Sequence, residues 1–156
     1  MDTRSNEYLR NAVMTAAPEQ LHLMLYDGAV RFTRQGIEAI RGKKWEDAFN
    51  GLSRAQKIIL EMTSALNYDV DRPLCERMAG LYTFIYRKLV EASVDRNPEA
   101  GEEALGLLEY QRETWVLLLD KLRRERTGQT PAGPAPKGAA EPVQAEALYG
   151  TLCVEG

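Results

Sequence analysis

The chain has 156 residues, of which 44% are hydrophobic and 28% are charged, and this composition predicts one globular domain of ordinary size. Twenty Lys and Arg residues against 23 Asp and Glu residues give a formal net charge of -3 at pH 7. Because the chain has no positive excess to attract phosphate backbones or anionic lipid, we expect no nucleic-acid partner.

The N-terminal segment, residues 1–17, is predicted to cap the main body of the protein. Its first residues carry charges where a signal peptide needs an apolar run, and no stretch of the chain has the roughly 18 to 20 consecutive apolar residues that cross a bilayer. We therefore expect a cytosolic protein without direct membrane insertion. Residues 5–15 have the spacing of a short helix, with Tyr8, Leu9 and Val13 among its apolar residues.

Long runs with helical periodicity follow the cap, and they cover residues 18–41, 45–67, 73–96 and 98–126. Pro18, Pro73 and Pro98 open three of these runs, where the first turn leaves the backbone N–H unpaired in any case. Short connections between long amphipathic helices favour antiparallel neighbours. The predicted fold is therefore all-α, an antiparallel up-down four-helix bundle over residues 18–126, with the short N-terminal helix as a fifth.

The composition changes after Arg126. Residues 127–156 hold four of the seven prolines and five of the twelve glycines, which predicts a flexible, disordered tail rich in Pro, Gly and Ala. An apolar cluster near the end of this tail suggests a peptide that docks into the protein's own groove. The cluster consists of Val143, Ala145, Ala147, Leu148, Tyr149, Leu152, Cys153 and Val154.

The helices carry more apolar residues than a bundle needs, since one stripe of about three residues in seven is enough. The second stripe on the first helix and the extra residues on the next two helices indicate a groove or an interface. Alternatively, these positions are covered by neighbouring helices, by the cap or by the tail. The candidate partner-binding residues are Tyr8, Leu9, Val13, Leu23, Tyr26, Val30, Ile37, Phe49, Leu60, Tyr82, Tyr86 and Val90.

Glycines inside the helical runs indicate either close helix packing or a soft bundle. Each costs roughly 0.5 to 1 kcal/mol of helix stability relative to Ala. We interpret Gly28 and Gly80 as positions where two helices approach closely. A bundle soft enough to adjust around a long partner is the functional alternative.

Catalytic and metal-binding chemistry has little support in the sequence. His22 is the only histidine, and its Glu-x-x-His spacing with Glu19 occurs in di-iron bundles, which need two such motifs. The chain has no glycine-rich phosphate loop, and Cys75 and Cys153 have no metal-binding spacing, so we expect reduced thiols, no cofactor, no metal and no enzymatic activity. Two alternatives stay open: a histidine phosphotransfer bundle that uses His22, and a generic helical adaptor that forms a weak homodimer through its apolar stripes.

Several pieces of the sequence resemble the FliS family of flagellar secretion chaperones. They are YLRNAV at residues 8–13, APEQL at 17–21, LYDGAVRF at 25–32, AQKII at 55–59, LY at 81–82 and TW at 114–115. They agree with the family in order and spacing over about residues 5–122. The connection at residues 68–73 departs from the family, which usually has a glycine there, and nothing known of the family extends to the tail.

The resemblance implies a five-helix bundle that binds the disordered C-terminal segment of flagellin in apolar grooves. Binding of this kind prevents premature polymerisation in the cytosol, and the complex is delivered to the flagellar type III export gate. Binding of this kind requires no nucleotide. In the family the N-terminal segment covers part of the groove and moves when flagellin binds, and Tyr8 is the matching residue here.

Overall fold

The structure, a computed structural model, describes Arg4, Glu7 and residues 18–128. The predicted cap, with Tyr8, Leu9 and Val13, otherwise lies outside the described residues, and so does the predicted tail from residue 129 onward. Four helices and no strand are present in the described part of the chain. The helices are α1 at Pro18–Arg41, α2 at Trp45–Ser64, α3 at Arg72–Val94 and α4 at Pro98–Arg126.

The predicted all-helical fold is confirmed, and α1 and α4 have the predicted bounds. The second helix ends at Ser64 and not at residue 67, and the third begins one residue earlier than predicted. The reason for the earlier start is a cap, because the Asp71 carboxylate accepts a hydrogen bond from the Leu74 backbone N–H at 3.1 Å. The Asn97 side chain caps α4 in the same way, accepting from two backbone N–H groups at 3.0 and 3.3 Å.

The four helices pack in a closed ring, with α1 against α2 and α4, and α3 against α2 and α4. Ion pairs show the direction of α1 relative to α4: Glu19 with Arg126, Asp27 with Arg112, Arg34 with Glu109, and Arg41 with Glu102. The partner's number falls along α4 as the number rises along α1, so these two helices run in opposite directions. Residues with little or no exposed surface from all four helices fill the centre, among them Leu52, Ile59, Ile85, Leu89 and Leu108.

The backbones of α1 and α2 approach each other closely where the two helices cross. A Cβ atom placed on Gly51 would lie 3.0 Å from the Phe32 carbonyl oxygen and 3.1 Å from the Gly36 backbone nitrogen. Gly28 also faces α2, since its Cβ would lie 3.1 Å from Ile58 Cδ1. The interpretation of Gly80 as a close approach is wrong, because its Cβ would meet nothing within 4 Å.

We expect Gly51→Ala to lower the free energy of unfolding. Overpacking against backbone atoms costs about 1 to 3 kcal/mol, which exceeds the roughly 0.5 to 1 kcal/mol that Ala gains in helix propensity. The matched control is Gly80→Ala, where only the propensity changes, so its free energy of unfolding should rise. Urea unfolding at 25 °C measures both, and an equal gain in stability for the two variants would contradict the close crossing.

Candidate functional site

The second apolar stripe predicted on α1 is mostly not a surface. Tyr26, Val30 and Ile37 are at most 6% exposed, and Tyr82 on α3 is fully buried. The physical reason is that α1 lies between α2 and α4 and therefore packs on two sides. These four candidate partner-binding residues belong to the core, and a partner would reach them only by displacing a helix. The expectation of an open groove at these positions is wrong.

A chain of polar groups inside the core explains two of these tyrosines. The Tyr26 hydroxyl donates to Gln111 Oε1 at 2.9 Å and lies 3.1 Å from the Tyr82 hydroxyl. Burial, with the Tyr82 hydroxyl beside it, raises the pKa of Tyr26 well above its usual value, so the phenol stays protonated. The contacts join α1, α3 and α4, which makes these hydroxyls structural.

Two large apolar side chains of α2 are genuinely exposed, Phe49 at 62% and Leu60 at 51%. They are eleven residues apart, three helical turns, and so lie on one side of the helix. This side is about 180° around α2 from Gly51 and Ile58, the residues that contact α1. Phe49 and Leu60 therefore lie on the side of α2 that is turned away from α1, and α3 is the other helix that packs against α2.

The matching side of α3 carries Tyr86 and Val90, which are four residues apart and half-buried. They lie about 160° around α3 from Lys88. The Lys88 ammonium pairs at 3.2 Å with Glu103 of α4, so that side of α3 faces α4. Tyr86 and Val90 therefore face α2.

These apolar residues lie along the junction of α2 and α3. At one end the Arg96 guanidinium, just after α3, lies 4.2 Å from the ring centre of Trp45, the first residue of α2. We call this surface the α2–α3 face, and it consists of Trp45, Phe49, Leu60, Tyr86 and Val90. The side chains that define it carry no charge, and exposed apolar surface of this kind is typical of a site that receives the apolar side of an amphipathic helix.

His22 lies in an aromatic pocket and is fully buried. Its ring makes edge contacts with Tyr26, at 4.7 Å between ring centres, and with Trp115, at 4.4 Å. Burial lowers the pKa of His22 from 6.5 to about 3, so the imidazole is neutral at neutral pH. A phosphotransfer histidine must be reachable by a kinase, and the buried ring therefore argues against that alternative.

A cleft opens between the start of α1 and the end of α4, with a volume of about 390 Å³. The Trp115 indole N–H donates to the Glu19 carbonyl oxygen at 2.9 Å, and the Arg126 guanidinium donates to the Glu19 carboxylate at 2.9 Å. Leu23, the remaining candidate on α1, is half-buried at the cleft wall. We call this the α1–α4 cleft, and its apolar wall consists of Leu23, Val116, Leu119 and Leu122.

Other chemistry is sparse in the part of the chain that the structure describes. No group of three or more His, Cys, Asp or Glu side chains there could hold a metal ion. The Cys75 thiol is buried and lies 3.3 Å from the Asn67 carbonyl oxygen, and burial raises its pKa. Of the helices described, none has the length and apolar character needed to span a bilayer.

Comparison with known proteins confirms the family resemblance. Residues 1–121 match the family model described as flagellar protein FliS. The flagellar secretion chaperone FliS of Bacillus subtilis is 33% identical over 121 residues, which cover 78% of this chain and 90% of the relative. The protein of the same name from Salmonella typhimurium is 31% identical over 120 residues, covering 72% and 84%, and that from Campylobacter jejuni is 27% identical over 110 residues, covering 70% and 86%.

Proposed function

This chain belongs to the FliS family of flagellar secretion chaperones, and we propose that it is a cytosolic, non-enzymatic export chaperone for flagellin. It binds the disordered C-terminal segment of flagellin, prevents premature polymerisation and delivers flagellin to the flagellar type III export gate. The proposal includes the antiparallel up-down arrangement of all helices, with a short fifth helix at the N-terminus. The single observation that carries it is the exposed apolar α2–α3 face on a bundle whose core is already filled.

The α2–α3 face is the proposed flagellin groove. A disordered segment that folds as an amphipathic helix along it would bury Phe49 and Leu60, together with the outer edges of Tyr86 and Val90. Burial of apolar surface stabilises such a complex by roughly 25 cal/mol per Å², while ordering the segment costs conformational entropy. Burial of apolar surface makes the complex tight, and the flagellin segment regains its conformational entropy when it is released. Neither step requires a nucleotide.

The N-terminal segment is the proposed movable part. We assign Tyr8, Leu9 and Val13 to covering the α1–α4 cleft, where Leu23 and Val116 offer an apolar wall. Tyrosine suits this role because its ring can be buried while its hydroxyl remains able to bond at a new interface. Movement of the segment when flagellin binds would expose a surface for the export gate.

Flagellin polymerisation, followed by light scattering, tests the proposed function. We expect the full chain at equimolar concentration to suppress seeded growth of filaments, because it masks the segment that drives assembly. A peptide with the C-terminal sequence of flagellin should restore growth by competing for the chaperone, whereas a scrambled peptide of the same composition should not. Unchanged growth at a several-fold excess of the chain would overturn the proposal.

Self-association through the α2–α3 face is the competing use of the same surface. It predicts that the molecular mass rises from that of a monomer to that of a dimer as the protein concentration increases, whether or not flagellin is present. Sedimentation of the full chain over a wide concentration range separates this from the chaperone, which should remain largely monomeric and change mass only when the flagellin segment is added.

A further inference from the structure

A second exposed apolar surface lies at the junction of α3 and α4. Phe84 is 45% exposed, Tyr110 is 69% exposed and Leu117 is 66% exposed. Phe84 lies about 160° around α3 from Tyr86 and about 120° from Val90, so this surface is separate from the α2–α3 face. We call it the α3–α4 face, and it consists of Phe84, Tyr110 and Leu117.

The two helices that carry this face are held in a defined register. The Lys88 ammonium lies 5.7 Å from the ring centre of Phe84 and 3.2 Å from the Glu103 carboxylate. Because only residues 95–97 connect the helices, α4 doubles back along α3, and Phe84 lies level with about residue 107. Tyr110 and Leu117 are seven residues apart on one side of α4, and from the level of Phe84 to Leu117 the apolar stripe is roughly 15 Å long.

Basic side chains border this stripe on both helices. Arg77 precedes Phe84 by seven residues, and Lys121 and Arg124 follow Leu117 by four and seven, so all three lie on the same sides as the apolar residues. Arg124 pairs with Asp120 at 3.2 Å, while Arg77 and Lys121 make no ion pair with another described residue. Glu113, three residues after Tyr110 and four before Leu117, lies on the same side of α4. The basic excess is therefore confined to the end of the stripe near Lys121 and Arg124, where it favours acidic groups on a ligand.

The C-terminal tail contains a segment of this chemistry. Leu148, Tyr149 and Leu152 follow a helical spacing that places them on one side, with Ala145. Residues 141–156 contain three glutamates and no Lys, Arg or His, which gives the segment a charge of -3. Val143 and Val154 fall on the opposite side of the same helical pattern.

The intervening sequence has a suitable length. Residues 127–142 separate the end of α4 from the apolar segment, and sixteen residues span at most about 50 Å. A fully flexible linker of this length has a root-mean-square span of roughly 22 Å, and the four prolines of residues 127–142 extend it beyond that. Leu117 lies about 14 Å back along α4 from Arg126, and Tyr110 lies about 24 Å back. The α3–α4 face is therefore within easy reach.

We propose that residues 143–154 fold back and pack Leu148, Tyr149 and Leu152 on the α3–α4 face of the same molecule. Apolar contact supplies the attraction, and the glutamates of the segment lie beside the basic border. The tail thus covers in cis one of the two exposed apolar surfaces of the bundle, while the α2–α3 face stays available. This inference does not depend on the identity of the export substrate.

A spin label on Cys153 of the full chain tests the proposal. Cys75 is fully buried, so the reagent reaches the tail thiol selectively, and Cys153→Ser reports any reaction elsewhere. We expect the amide NMR signals of Phe84, Tyr110 and Leu117 to lose most of their intensity, whereas those of Phe49 and Leu60 keep theirs. The effect should weaken at high salt, because the charged border is screened.

Matched variants of the tail distinguish specific docking from chance encounters. Leu148→Glu with Leu152→Glu should abolish the selective loss of signal, and Val143→Glu, on the opposite side, should leave it intact. Broadening that is uniform over the bundle, or unchanged in the double variant, would overturn the proposal. So would broadening that appears when labelled chains are mixed with isotope-enriched unlabelled ones, since the occupant would then be a second copy.

Discussion

Replacing Phe49 and Leu60 together by Ala is expected to weaken binding of the flagellin C-terminal segment by roughly 100-fold or more. Each side chain contributes about 1.5 to 3 kcal/mol when it becomes fully buried against a partner, and 1.4 kcal/mol corresponds to a tenfold change in affinity. Both side chains are more than half exposed in the unbound molecule, so the variant should fold normally. Calorimetric titration measures the change in the dissociation constant.

The matched control for this variant is Tyr110→Ala with Leu117→Ala on the α3–α4 face. It removes two large side chains of similar exposure, 69% and 66%, from a surface that the flagellin proposal does not use. Its affinity for the segment should stay close to that of the unaltered chain. A loss of similar size in both double variants, or in the control alone, would place the groove elsewhere.

The stability of the protein is expected to fall as the pH drops below about 6.5, because of His22. Its folded-state pKa is about 3, against 6.5 for an ordinary histidine, so between these values the unfolded chain binds a proton that the folded chain does not. The free energy of unfolding therefore rises with pH across this window, by up to about 1.4 kcal/mol per pH unit. The contribution is complete above pH 6.5 and is lost progressively toward pH 3.

Urea unfolding at pH 7.5 and pH 5.0 tests this expectation. His22 should account for a loss of roughly 2 kcal/mol between the two conditions. In His22→Phe, which keeps an aromatic ring between Tyr26 and Trp115 but cannot be protonated, that part of the slope should disappear. If the free energy of unfolding changed equally with pH in the two proteins, His22 would be protonated in the folded state without cost, contrary to its burial.

Helix positions were largely predictable from the sequence because local chemistry determines them. Pro18 and Pro98 mark the first residues of α1 and α4, and the loss of apolar periodicity after Arg126 marks the end of α4. The end of α2 was misplaced by three residues, since the periodic pattern continues to Leu66 although the helix stops at Ser64. Leu66 is buried all the same, which is why the pattern alone extended too far.

Properties that depend on pairs of helices were less predictable. Periodicity counts apolar residues but not the neighbours of a helix, so it predicts a surface at Tyr26 and Ile37 although α1 packs on two sides. Close approach requires two facing residues, so one helix pattern alone does not show that Gly51 meets Gly36 across the α1–α2 crossing, or that Gly80 faces open space. Phe49 could be identified from the sequence because it lies off the main apolar stripe of α2. The structure shows that its side chain is exposed.

The α3–α4 face was not anticipated at all. Its three residues come from two helices. Tyr110 and Leu117 lie on the outer side of α4, away from its buried residues Leu108 and Trp115. The face becomes visible only when α4 is placed beside α3, with Lys88 close to both Phe84 and Glu103.

Calorimetric titration of the full chain with the C-terminal segment of its flagellin, repeated at several temperatures, tests the central claim most directly. The proposed chaperone should bind one segment per chain with a large negative change in heat capacity, because a disordered partner folds as it buries apolar surface on the α2–α3 face. Absence of saturable binding at every temperature would contradict the account, and the exposed apolar residues of α2 and α3 would then require another partner.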